Sequence, residues 1–528
     1  MNRVKVLDCT LRDGGYVNNW DFGEQNIRKI ISKLDESGVD IVECGFISSK
    51  LKYDKDNSRF DSVERVSTVI PSGKRPCMYV AMINYGEVVL DDIPDRITNY
   101  IDGIRVAFHK KDIEEALALC DGIAQKGYKV FIQPMVSVSY TDKEFIELIS
   151  MSNRINPYAF YIVDSFGVMK RNDLLRLFYL VDHNLAQDIY VGYHSHNNMQ
   201  LSYSNSQSLV DLKTRRKLII DASVYGMGRG AGNLNTELFI EYLNLNNGTQ
   251  YKSIPLLQII DEVLNYIYAQ NYWGYSFAHF LSAKYNCHPN YATDLSKKDT
   301  LTAEDVSNIL LSMDDQKRSN YSESYIEKLY QEYQAHRIND EKCLKELEHI
   351  FKNKNIVAIA SGNSVSKEKK KINKIRTESN TLFVAVNYIP KDIQVDYIFI
   401  SNLKRYEHVK GVNRDKLITT SNVQTDRNIG YAINYLTLIN EHPAVSDNAG
   451  LMLIKLACDL GVKKIRLAGY DGYSYDAMQN YAEEDMAFIK DKTVVDNLNA
   501  GMTRVLKQYS ERIDIQFVTE SKYNRDKG

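Results

Sequence analysis

No apolar run in this 528-residue chain approaches the ~18 residues that a membrane-spanning helix requires, so no membrane span is expected. The opening MNRVKVLDCT has no signal-type apolar region or cleavage site and runs straight into a strand pattern, so no secretory leader is expected. The seven cysteines, at positions 9, 44, 77, 120, 287, 343 and 458, form no CxxC pair. That argues against a zinc ribbon or a disulfide framework and makes a reducing cytoplasm the expected home. Neither sign of charge prevails: 66 Lys plus Arg against 68 Asp plus Glu leave a net charge of -2. Bulk electrostatics therefore favours neither nucleic acid nor an anionic membrane as partner. The two halves share no internal repeat. The one dense basic run, KEKKK at 367–371, reads as a solvated helix face.

What is present is a soluble composition, 44% hydrophobic and 25% charged, in a chain long enough for two or three domains. The first half alternates short β-rich runs with helical patterns. The runs are VKVLDCT (4–10), IVECGF (41–46), CMYVAMI (77–83), GIRVAF (103–108), KVFIQPM (129–135), FYIVDS (160–165), YVGYHSH (190–196) and IIDASV (219–224). Most are continuously apolar, as strands of a parallel sheet covered on both faces should be. Helix-length segments such as EQNIRKIISKLDES and DIEEALALCDGIAQKG fill the gaps, the latter with Gly127 at its C-terminal end. Eight evenly spaced βα units predict a (β/α)8 TIM barrel over 1–290, with a doubly wound open sheet as the alternative. A helical connector is expected over 291–350. A Rossmann-like α/β domain is expected over 351–528, where NIVAIASGNS, TLFVAVNYI, VDYIFIS, KLITT, KKIRLAGYDG and DIQFVT read as strands.

In a TIM barrel the chemistry lies at the C-terminal strand ends, and polar residues gather there in this sequence. Arg12 and Asp13 follow the first run, Glu43 lies in the second, Asp164 and Ser165 end the sixth, and His194-Ser-His196 ends the seventh. Residues two apart on a strand face the same way, so both imidazoles can reach one ion, with Asp13 as a third ligand. A mixed nitrogen and oxygen set suits Mn or Mg, with Zn, Co or Fe as further candidates. Arg12 can grip a carboxylate or enolate oxygen, or pair with Glu43 across the first two strands. Asp164 can receive a hydrogen bond from a ligand histidine or cap its strand end. GMGRGAGN (226–233) does not match GxGxxG and has no acidic partner about 20 residues on, so a dinucleotide reading is weak. It fits better as a loop presenting backbone N–H groups to an anion, with Asn233 within reach of the ion or its neighbours.

LDCTLRDGGY, VECGF, VDSFG, HSHNN and GMGRGAGNLNTE together resemble the Asp-Arg-Glu metal-dependent lyase and aldolase superfamily on a TIM barrel. Its members include 4-hydroxy-2-oxovalerate aldolases, hydroxymethylglutaryl-CoA lyase and isopropylmalate and homocitrate synthases. The resemblance implies Asp13, His194 and His196 as metal ligands, Arg12 as enolate stabiliser, Glu43 as its support and Asn233 as a ligand or near-ligand. It is strongest to the hydroxy-oxo-acid aldolases, which implies a 2-oxo acid such as pyruvate and an aldehyde as substrates. The sequence departs from those aldolases at Tyr16, where they carry a histidine proposed as base. A phenol ordinarily titrates near ~10 and needs lowering to act as a base. Tyr275, in an aromatic segment after the barrel, resembles a tyrosine near the aldolase centre, and His288 is a further candidate or a structural histidine.

The second domain resembles, more loosely, the nucleotide-binding half of bacterial lipooligosaccharide sialyltransferases. That resemblance implies Gly362, Asn363, Ser364, Asn387 and Asp471 at a site for CMP or a CMP-sugar. Those transferases use a histidine late in the domain, whereas the last one here, His442, precedes GYDGY; binding is therefore expected rather than catalysis. The leading expectation is an aldolase of surface-polysaccharide or sugar-acid biosynthesis, forming a homo-oligomer. The alternatives are an acyl-CoA-dependent Claisen-type synthase and a non-catalytic metal-bound scaffold beside a sugar-nucleotide-binding module.

Overall fold

The computed structural model describes the whole chain except residues 1–2, 72–76, 99, 299, 410, 424–429, 477–478, 483–491 and 525–528. It divides into two compact units. The first comprises Met1–Thr293 with Asp314–Tyr321, and the second Asp294–Met313 with Ser322–Gly528. The helical stretch 291–350 thus contributes residues to both.

In the first unit the strands are β1 (Val4–Asp8), β2 (Ile41–Ile47), β3 (Arg59–Phe60), β4 (Met78–Asn84), β5 (Gly103–Phe108), β6 (Lys129–Pro134), β7 (Ala159–Asp164), β8 (Tyr190–Ser195) and β9 (Leu218–Ala222). They run β1-β9-β8-β7-β6-β5-β4-β2, and β1 pairs with β2 to close the ring. Every pairing is parallel, so this is an eight-stranded (β/α)8 barrel, with the two-residue β3 attached outside β2. The open-sheet alternative is excluded. The helix Glu24–Ser37 buries Ile27, Ile30, Ile31 and Leu34, one face at helical spacing, and Gly38 ends it in the left-handed region.

Strand alternation divides each run between two cores. Val4 and Val6 of β1 join the large cluster under the helices, while Leu7 and Cys9 join a smaller one with Ile41, Val80, Phe131, Tyr161 and Ile219. The smaller cluster is the barrel interior. Moving along the strands towards their C-terminal ends, the same inward positions turn polar: Glu43 follows Ile41, Asp221 follows Ile219, and Arg105 lies opposite Phe131. The apolar lower layers thus form a floor beneath a charged top.

Gly192 of β8 faces Tyr161 of β7 across the ladder. A Cβ built on Gly192 would lie 2.2 Å from the Tyr161 ring, so no larger residue fits without displacing that ring. The Tyr161 hydroxyl in turn donates to Asp221 at 2.9 Å.

The second unit holds a seven-stranded parallel sheet of β10 (Asn355–Ile359), β11 (Thr381–Val386), β12 (Tyr397–Ile400), β13 (Leu417–Thr420), β14 (Tyr431–Ile433), β15 (Lys464–Ala468) and β16 (Asp514–Phe517). Their order is β14-β13-β12-β11-β10-β15-β16, so the direction of winding reverses between β10 and β15. Ile356 and Ala358 join one hydrophobic cluster, Val357 and Ile359 another, so the sheet is covered on both faces. The three-residue β14 adds a strand to the six that the sequence suggests. Among the described residues no helix is long and apolar enough to cross a membrane.

Gly192→Ala is expected to destabilise the first unit by about 1–3 kcal/mol, the usual cost of overpacking a filled interior. Urea denaturation followed by circular dichroism measures this; a change near zero would show that the Tyr161 ring can yield.

Candidate metal centre

Three ligand-type side chains converge at the C-terminal rim of the barrel. Asp13, His194 and His196 are all buried, and one potential ligand atom from each lies within 4.8 Å of the others. Asp13 is fixed by a turn after β1, its amide donating to the Cys9 carbonyl at 2.8 Å. His194 lies in β8. His196, just beyond it, bridges to Asn233, and the two imidazole centroids stand 5.2 Å apart.

The Nδ1 atoms of both rings are already engaged. That of His194 lies 3.0 Å from Asp221 Oδ2, and that of His196 lies 3.2 Å from the Arg229 carbonyl. Each ring therefore keeps Nε2 for an ion, and the outer partners fix tautomer and orientation. Burial pushes the His196 imidazole down to about 3 against the pull of Asp13, so it is neutral and its lone pair is available. Burial alone would raise the Asp13 carboxyl. Arg12, with the two imidazoles and Arg229, outweighs this and holds it well below the usual carboxylate range.

Asn233 donates through Nδ2 to Asp13 Oδ2 at 2.6 Å, and its buried Oδ1 has no hydrogen-bond partner. An orphaned amide oxygen beside a carboxylate and two imidazoles is what a divalent cation would satisfy. Gly228 lines the same spot so closely that a Cβ there would meet Asn233 Nδ2 at 2.3 Å and Asp13 Oδ2 at 2.7 Å. The residues present fit a divalent metal.

Around this set lies a buried charge network. Glu43 Oε2 accepts from Arg12 Nε at 2.8 Å and lies 2.6 Å from Arg105 Nη1. Arg105, fully buried, also pairs with Asp221, and Arg12 pairs with Asp13. Arg12 therefore makes the ion pair with Glu43, yet its buried Nη2 keeps no hydrogen-bond partner.

Other residues singled out in the sequence have different surroundings. The hydrogen-bond partner of His194 is Asp221. Asp164 instead accepts the amides of Val168 at 2.9 Å and Met169 at 3.0 Å, capping the loop after β7. Tyr16 is 40% exposed, packs edge-on against Trp20 and lies under the Arg229 guanidinium, 5.5 Å from its ring centroid. Desolvation raises the phenol above its ordinary value, with Arg229 opposing. The Tyr275 ring is 53% exposed, and among the described residues no hydrogen bond or ring contact ties it to the metal cluster. His288 packs against Phe166, 5.9 Å between ring centroids, with Nδ1 accepting the Asn290 amide. The sequence motifs do not single out Arg105, Asp221 or Arg229. The signal for the first two was a charged residue inside an otherwise apolar strand, GIRVAF and IIDASV.

In the second unit a cavity of about 930 Å³ lies where the turns after β10 and β15 meet, with Gly362, Asn387 and Asp471 among its lining. Ser364 and Asp471 are spent on each other: the Ser364 amide donates to the Asp471 carboxylate at 2.7 Å, and the hydroxyl pairs with it too. Asn387, in the left-handed region, holds the Ser401 amide through Oδ1 at 3.0 Å. Asn363 precedes the one-turn helix Ser364–Lys367 and makes no side-chain cap.

Residues 104–262 match the HMGL-like family model. A 4-hydroxy-2-oxovalerate aldolase of Geobacillus genomosp. 3 is 27% identical over 267 residues, 49% of this chain and 75% of that protein. An oxaloacetate decarboxylase of Mycobacterium tuberculosis is 24% identical over 242 residues, 45% of this chain and 69% of that protein. A solved HMG-CoA lyase from Brucella melitensis aligns at TM-score 0.41 and 17% identity, covering 49% of this chain and 96% of that one.

Asp221→Asn is expected to weaken Mn²⁺ binding by about 10–100-fold, the usual consequence of losing the partner that orients a ligand imidazole. Calorimetric titration measures it, and unchanged affinity would mean that Asp221 does not orient the ligand. Burial raises the Asp164 carboxyl to about 7. The folded state then keeps a proton that the unfolded chain releases near pH ~4, so this stability is full below that pH and lost as pH rises through about 7. Asp164→Asn should flatten the corresponding slope in urea-denaturation free energy between those limits. A slope equal to wild type would place the titration elsewhere.

Together the family match and the sequence relatives support an HMGL-like barrel for the N-terminal half of this chain.

Proposed function

We propose that the barrel is a divalent-metal-dependent aldolase that joins a 2-oxo acid, with pyruvate as the parent case, to an aldehyde or splits the product. The observation that carries this reading is the buried Asp13–His194–His196 set beside Arg12, whose Nη2 has no partner. Asp13, His194, His196 and the Asn233 amide oxygen would hold the ion. When bound it supplies Lewis-acid polarisation of the 2-oxo carbonyl. Two imidazoles beside two oxygens favour Mn over Mg, with Zn, Co and Fe as further candidates.

Arg12 is held rigid by Glu43 and Asp13, which leaves its free N–H to meet the oxygen on which enolate charge develops. In the joining direction a proton leaves the methyl carbon of the 2-oxo acid. That carbon bonds to the aldehyde carbon, and the resulting alkoxide takes up a proton, so no oxidant or reductant is consumed. Tyr16, with its phenol held above its ordinary value, suits proton donation to that alkoxide better than proton removal.

For the second unit we propose a binding role, for a nucleotide such as CMP or a CMP-sugar, in the cavity at its strand ends. A 2-oxo sugar acid made by the barrel would be a chemically related ligand, which is the basis for placing the protein in surface-polysaccharide or sugar-acid synthesis. Because Asp471 occupies the Ser364 amide, this turn would contribute shape rather than anion binding.

The test of the barrel reading needs no knowledge of the aldehyde. Wild-type protein loaded in turn with Mn, Mg, Zn, Co or Fe is expected to exchange the methyl protons of pyruvate for deuterium in heavy water, read by mass spectrometry. Arg12→Ala should slow exchange by about 100–1,000-fold. Absence of exchange with every metal rejects the reading, and thiol release from an acyl-CoA would point to the Claisen-type alternative.

A further inference from the structure

Three arginines surround the rim, and they differ in how they are neutralised. Arg12 pairs with Glu43 and Asp13, and Arg105 with Glu43 and Asp221. Arg229 has no carboxylate within ion-pair distance of its guanidinium among the described residues. Its Nε is buried without a hydrogen-bond partner. One of its nitrogens, Nη2, donates to the Ser165 carbonyl at 3.0 Å, which pins the guanidinium to the end of β7. Its backbone is tied to the metal set on both sides, with the carbonyl 3.2 Å from His196 Nδ1 and the amide 3.4 Å from Asp13 Oδ2. The guanidinium stands over Tyr16, a part-exposed side chain at the mouth.

We propose that Arg229 recognises an anionic group, a carboxylate or a phosphate, on the aldehyde partner. The inference rests on the aldolase reading above and adds the chemical class of the second substrate. Arg12, buried against Asp13, faces the 2-oxo acid. Arg229 is a second cation beside it, pinned at one nitrogen by the Ser165 carbonyl, outside every ion pair among the described residues, with a buried Nε that has no hydrogen-bond partner and its guanidinium over the part-exposed Tyr16. A planar guanidinium with a free donor is suited to an oxyanion rather than to a neutral hydroxyl. The bland alternative is that Arg229 merely pins the loop to Ser165, in which case every aldehyde would be affected alike by its loss.

The experiment uses the full metal-loaded chain and compares matched aldehydes with pyruvate as co-substrate. Succinic semialdehyde against butanal tests a carboxylate, and glyceraldehyde 3-phosphate against glyceraldehyde tests a phosphate. Wild type is expected to prefer one anionic member in kcat/KM by roughly tenfold to a hundredfold, the range of a hydrogen bond to a charged group. Arg229→Gln should bring that ratio towards one, and Arg229→Lys should retain part of it. A wild-type ratio near one in both pairs overturns the inference, as does consumption of none of the four aldehydes, while deuterium exchange into pyruvate leaves the aldolase reading standing. Loss of exchange in the wild type removes both. A ratio unchanged in Arg229→Gln, or a rise confined to the KM for pyruvate, also overturns it. Should the Gln variant fail to fold, the wild-type ratios and the Lys variant still decide.

Discussion

A fully buried arginine shared between two carboxylates holds this barrel's rim together. Arg105 enters from β5 and meets Glu43 from β2 and Asp221 from β9. Ions in such surroundings are costly to desolvate and tolerable only when paired and hydrogen-bonded on several sides. Here each partner has a second tie: Glu43 to Arg12, Asp221 to His194 and to Tyr161. The network therefore transmits position. The strands fix Arg105, Arg105 fixes the two carboxylates, and these hold Arg12 and His194 in place.

The architecture of the first half was legible because each strand is a short apolar run between turn or helix signals, and the closed ring follows from their number and spacing. The two-residue β3 and the three-residue β14 were not legible, since such lengths give no period to read. The Asp13, His194 and His196 convergence could be anticipated from one same-face spacing and a strand-end position. The partner of His194 could not. Asp164 and Asp221 both sit in apolar strands, and which one points inward depends on register, set by parallel pairing with distant segments. Asp164 turns back to its own loop while Asp221 faces Arg105. Likewise Tyr275 gave an aromatic pattern without a location, because a loop's path is fixed by packing rather than by its own sequence.

The second unit shows the same limit. Ser364 and Asp471 lie 107 positions apart, and each alone resembles a polar group awaiting a ligand. Their mutual hydrogen bonds follow from β10 and β15 being neighbours at the point where the strand order reverses. Turns at that point press closely: a Cβ on Gly362 would come within 2.3 Å of the Gly469 carbonyl. Glycine there serves backbone proximity, and the cavity beside it takes its shape from that proximity.

Arg229, outside every ion pair among the described residues, alters the charge count of the rim as a whole. Arg12 and Arg105 face three carboxylates, Glu43, Asp13 and Asp221, which leaves this inner group one unit negative. A divalent ion held there would invert that to one unit positive, and a monoanionic ligand would return it to zero. Arg229, which joins no ion pair among the described residues, adds a further positive charge beside this group and helps hold the Asp13 carboxyl low. Counting Arg229, three arginines face three carboxylates, so the rim is neutral without an ion and would be two units positive with a divalent one, which ties its attraction for anions to the filling of the metal site.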